Sequence, residues 1–196
     1  MTAFITRFSP NAARLAAAAL LCLWAAGVEA AGIEPVKADL VPTEDGYALS
    51  ADFHIDLGPR VAEAVFRGIP LYFNMELEVA RPRWYWASEH LITYKLTYRL
   101  SYHALTQHYR IATGTLHRSF DTLDDALRAL GHISALPVAE KGALAPGSPY
   151  QASLRLSLDR DQLPKPFQVD AIANKDWQVD AKTLHWQTPS VGGDSK

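Results

Sequence analysis

A mainly β protein, an antiparallel β-sandwich of immunoglobulin-like size carrying two short helices, is what three features of this sequence predict. The first is the stretch Ile92 to Tyr102. There Ile92, Tyr94, Leu96, Tyr98, Leu100 and Tyr102 fall on one face, and Thr93, Lys95, Thr97, Arg99 and Ser101 on the other. Such alternation in Tyr, Thr and Ile marks a half-buried antiparallel strand. The second is recurrence of the same period at Leu49–Leu57, Leu71–Val79 and Tyr150–Leu158. The third is that only two stretches carry a helical period. The alternative is an α+β fold in which one curved antiparallel sheet is covered by both helices.

Residues 1–30 read as an export signal. Arg7 and Arg14 precede the uncharged run Leu15–Val28, and Val28-Glu29-Ala30 offers small residues to a signal peptidase. The run is about 14 residues, short of the roughly 20 that span a bilayer. Cleavage leaves a single β-rich domain over residues 31–188, a disordered polar tail over 189–196, and no membrane-spanning segment. The only cysteine, Cys22, lies inside the signal, so the mature chain relies on its core without disulfides. Without Arg7, Arg14 and Glu29 the 19 basic and 21 acidic residues become 17 and 20. That balance argues against nucleic acid or anionic lipid as a partner. A periplasmic or secreted location is expected.

In order along the mature chain, Ile33, Val36, Ala38 and Leu40 make a modest strand. Asp45-Gly46 supplies turn chemistry, and Leu49–Leu57 pairs back as a hairpin. Gly58-Pro59 opens a short helix, since proline suits a first helical position. Its apolar side is Val61, Val65 and Phe66 with Ala62 and Ala64, and Gly68 terminates it. Leu71–Val79 is a strand whose Glu76 and Glu78 would share the solvent face with Lys95 and Arg99 if it lies beside Ile92–Tyr102. Gln107–Thr113 and Leu116–Phe120 complete the returning arm of that hairpin. Thr122 with Asp125 caps a second helix bearing Leu123, Ala126, Leu127 and Leu130, ended by Gly131. Leu136–Pro149 has no period and reads as an exposed loop. After Tyr150–Leu158, Leu163-Pro164-Lys165-Pro166-Phe167 is expected to be extended, and Gln168–Ala173 and Trp177–Gln187 are weaker strands.

Several strings in this order resemble an exported proteobacterial family known as domain of unknown function 4390. They are Gly68-Ile69-Pro70-Leu71, Arg83-Trp84-Tyr85-Trp86, Tyr98-Arg99-Leu100-Ser101-Tyr102, Gln107-x-Tyr109-Arg110 and Leu163-Pro164-Lys165-Pro166-Phe167. The similarity runs over residues 33–187. It implies an envelope location and a gene neighbourhood with a membrane sensor histidine kinase, and it brings no assigned functional residue.

The most unusual cluster is Trp84-Tyr85-Trp86 with Arg81 and Arg83. Alternation places both indoles on one face. Exposed, they would stack on sugar rings, a peptide or a partner's arginine. Buried, they would cap the core under snorkelling arginines. Seven histidines, at positions 54, 90, 103, 108, 117, 132 and 185, show no tight metal-ligand spacing. Asp52, Asp56, Glu76 and Glu78 read as a solvated face rather than an acid–base pair. There is no Gly-x-Ser-x-Gly elbow, phosphate loop or mature cysteine nucleophile. No catalytic residue, metal or cofactor is expected. The leading expectation is a non-catalytic periplasmic domain that binds an envelope protein, in the neighbourhood of a sensor kinase. The alternative is a small-ligand or glycan-binding module built on Arg81, Arg83, Trp84, Tyr85 and Trp86.

Overall fold

A computed structural model describes residues 31–82, 89–145, 148–173, 177 and 179–188. The expected signal segment 1–30, the cluster Arg83–Trp86 and the expected tail 189–196 lie outside the described residues. The order of elements is β1 (Gly32–Pro42), β2 (Gly46–Asp56), α1 (Gly58–Phe66), β3 (Leu71–Arg81), β4 (Glu89–His103), β5 (His108–Thr113), β6 (Leu116–Phe120), α2 (Leu123–Gly131), β7 (His132–Glu140), β8 (Tyr150–Leu158), α3 (Lys165–Ala173), β9 (Asp180–Ala181) and β10 (Thr183–Thr188).

The strands form two sheets. One is four-stranded in the order β7-β2-β1-β9, the other six-stranded in the order β10-β8-β3-β4-β5-β6. All pairings are antiparallel except the short β1–β9 bridge. Leu71, Phe73, Met75, Leu77 and Val79 of β3 are fully buried, as are Leu154 and Leu156 of β8. They pack in one core with Ile33, Leu40, Leu49, Phe53 and Ile55 of the smaller sheet. The period-2 pattern thus selects the sandwich over the single curved sheet, because both sheets turn an apolar face inward. No helix among the described residues is long and apolar enough to cross a membrane.

Local chemistry explains the connections. Pro59 sits in the first turn of α1, and the chain leaves that helix through a paired closure in which Gly68 N–H reaches Val65 O at 2.8 Å and Ile69 N–H reaches Ala64 O at 3.0 Å. Gly68, at φ +88°, makes that exit possible. The Thr122 hydroxyl accepts from the Asp125 N–H at 3.1 Å and donates to the Asp125 carboxylate at 2.6 Å, capping α2. Gly46 serves less through its torsion than through close approach, since a Cβ there would lie 2.0 Å from the Ala139 carbonyl oxygen.

Five expectations are corrected. Leu163–Phe167 is not an extended connector, because Pro164 caps and Pro166 occupies the first turn of a third helix, α3. Proline's fixed φ is also a helical φ, and its missing N–H has no partner in a first turn. The Pro164 carbonyl accepts from Phe167 N–H at 2.8 Å and Gln168 N–H at 3.2 Å. Gln168–Ala173 consequently lies in that helix rather than in a strand. Leu136–Glu140 belongs to strand β7, with a bulge that erases its period. On the flanks, Val36 sits at a bulge in β1 and Phe66 lies over Tyr102 with centroids 5.0 Å apart, so both are exposed rather than core-facing.

Candidate functional site

Arg81 closes β3 and pairs in register with Glu89 of β4. Arg83, Trp84, Tyr85 and Trp86 lie outside the described residues. Arg81 donates from Nη2 to the Tyr150 hydroxyl at 3.1 Å, with its guanidinium carbon 5.5 Å from the Tyr150 ring centroid. Tyr150 is fully buried at the start of β8, and its hydroxyl also accepts from Ala145 N–H at 2.7 Å and donates to Ala145 O at 3.0 Å. Burial works to raise the Tyr150 pKa. Hydrogen bonds from Arg81, Ala145 and Ser148 outweigh it, and the net shift is downward. Arg81 is therefore committed to the structure.

The carboxylates flagged in the sequence separate between the two sheets. Asp52 lies 2.7 Å from His132 Nδ1, and Asp56 accepts from Gly58 N–H at 2.8 Å at the mouth of α1. On the larger sheet Glu76 meets Lys95 Nζ at 2.7 Å, as the strand pairing requires, and Glu78 lies 3.7 Å from His90. On the exposed face, the Lys95 ammonium has its pKa raised by the hydrogen bond and charge of Glu76. His108 meets Asp121 at 3.1 Å, and His103 meets the Thr106 hydroxyl at 3.2 Å. Among the described residues no three His, Cys, Asp or Glu groups converge to hold a metal ion. Each carboxylate serves a turn, a cap or a cross-strand pair.

A different feature emerges where the sandwich gapes. Edge strand β6 of the larger sheet and edge strand β7 of the smaller one lie on the same side, and α2 runs between them. Register places Ile111 opposite Arg118, Thr113 opposite Leu116 and Tyr109 opposite Phe120. Ile111 is buried, so Leu116, Arg118 and Phe120 are the core-facing residues of β6. The smaller sheet does not close over them, and Leu116 remains 77 % exposed. What results is an open apolar groove of about 260 Å³ whose walls include Tyr98, Ile111, Leu116, Ala129, Ile133 and Leu136. Arg118 crosses its rim, held 5.3 Å over the Phe120 ring and without a carboxylate partner among the described residues. Nothing in the local sequence marks this groove. Leu116-His117-Arg118 alternates like any strand, and the edge position follows from strand order.

Compared with known proteins, residues 30–187 match the family described as Domain of unknown function (DUF4390). No curated protein and no solved structure matches the chain. With the match spanning nearly all of the two-sheet domain, the chain belongs to the DUF4390 family.

Proposed function

We propose that this domain is a non-catalytic periplasmic binding module whose partner is a protein of the envelope, with the periplasmic part of a membrane sensor kinase as the first to test. The observation that carries the reading is the apolar groove between β6 and β7, bordered by strands that have no neighbour on their outer edges among the described residues. Unpaired strand edges beside apolar surface are templates for another chain. At about 260 Å³ the groove is smaller than the roughly 300–1,000 Å³ typical of small-ligand pockets. That favours side chains of a protein segment over a whole small molecule. The export signal read in residues 1–30 supplies the compartment.

The test is in-cell crosslinking from positions 116 and 136 on the two walls, followed by identification of the captured protein. The expected result is one predominant envelope protein captured from both positions. Capture from neither, with the protein present at normal abundance and folded, would sink the reading.

A further inference from the structure

We propose that β6 is the docking edge itself, and that it takes an extended partner segment carrying an acidic residue between two apolar ones at positions i, i+2 and i+4. This rests on the partner-binding reading above and names the chemistry of the partner.

The spacing follows from the strand. Leu116, Arg118 and Phe120 are alternate residues facing the groove, while His117 and Ser119 face outward. A segment added antiparallel to β6 places its own alternate side chains directly opposite these three, at cross-strand contact distance. Leu116 and Phe120 are met by apolar residues, which the groove has room to bury. Arg118 is met by a carboxylate, for which its planar guanidinium is the matching donor.

Charge also decides against a second copy of this chain. The antiparallel pairing of two β6 strands that uses all five residues is centred on Arg118, and symmetry then sets one Arg118 against the other. An inward-pointing charge on an edge strand opposes self-pairing. The same charge selects an acidic partner, so Arg118 is both the guard and the reader of this edge.

The experiment selects a displayed library of peptides of about ten residues against the purified protein and against Arg118→Glu. Arg118 is exposed, so the variant is expected to fold. Wild type should enrich Asp or Glu two residues from apolar positions on both sides, and the variant should enrich Lys or Arg there. The selected acidic peptide should bind Arg118→Glu about tenfold more weakly or worse. It should also slow hydrogen exchange at those amides of residues 116–120 that point away from β5. Enrichment that ignores the charge at position 118, or protection along β7 in place of β6, overturns the proposal. So does protection, in the free protein, of those amides of 116–120 that point away from β5: rising with concentration, it assigns the edge to a second copy; independent of concentration, to another segment of this chain. Crosslinking of the same envelope protein by wild type and Arg118→Glu alike leaves the proposed function standing and overturns the β6 assignment. Capture by neither overturns both.

Discussion

Arg81 and Tyr150 are joined across the end of the larger sheet by a 3.1 Å hydrogen bond, and the same hydroxyl holds both backbone groups of Ala145. One buried oxygen therefore ties together the end of β3, the start of β8 and the loop before it. Tyr150→Phe keeps the ring and removes the hydroxyl, leaving backbone groups to find other partners. The expected loss is about 1–3 kcal/mol in unfolding free energy. Urea titration should show a lower midpoint with an unchanged slope, the sign of a stability change without a change of fold.

Asp159 plays a similar part at the other end of β8. Its carboxylate accepts from Gln162 Nε2 at 2.8 Å, Asn74 Nδ2 at 2.9 Å and Asp161 N–H at 3.1 Å. The Gln162 bond leads in holding its pKa below the ordinary aspartate value, with Asn74 and backbone donors adding to it against partial burial. A folded-state pKa below the unfolded one means stability that is fully present above the unfolded value, about 3.9. It is lost as pH falls through the folded value. The stability gap between wild type and Asp159→Asn should be flat from about pH 5 to 8 and narrow below about pH 4. A gap that widens on acidification contradicts this.

Much of the sandwich is legible in the sequence because period 2 and burial are the same fact wherever strands run without bulges. Met75, Leu77 and Val79 are fully buried, and Glu76 pairs with Lys95, as the two alternations require. The period fails where register shifts. In β7, Ile133 faces Ala51 and Leu136 faces Leu49, so three steps on one strand match two on the other. Ala135, at φ +47°, takes up the extra residue. Proline misleads at α3 for another reason: one φ suits both an extended segment and a helix's first turn. The groove is not legible at all, since a sequence specifies which residues face inward but not which strand comes last.

At α3 the side chain of Gln168 folds back to donate to Asp161 O at 2.6 Å and Leu163 O at 2.8 Å, fastening the helix to the turn before it. Gln168→Leu removes both bonds at a cost of about 1–2 kcal/mol. Because the bonds are local, the clearest readout is faster hydrogen exchange confined to residues 165–173. Acceleration spread equally over β3 and β8 would show that α3 does not open on its own.

Gly46 predicts a steric effect. Its φ of +159° is close to extended, so a side chain is excluded by contact with Ala139 O and not by torsion. Gly46→Ala must push β7 from β2 at the hairpin, and overpacking of this kind costs about 1–3 kcal/mol. A thermal midpoint within error of wild type would show that this edge yields freely.

Two leucines on the groove separate surface from core. Leu130 of α2 is 2 % exposed at the groove floor, whereas Leu116 of β6 is 77 % exposed at its wall. Leu130→Ala leaves a cavity that neighbouring residues cannot fill and should cost about 2–5 kcal/mol. Leu116→Ser removes surface that folding scarcely buries, so its stability should stay within about 0.5 kcal/mol of wild type. If the groove receives a partner's side chains, Leu116→Ser should still weaken partner capture while leaving the melting curve in place. A destabilised Leu116→Ser would mean that Leu116 is packed in the free protein, and the groove would then be closed in solution.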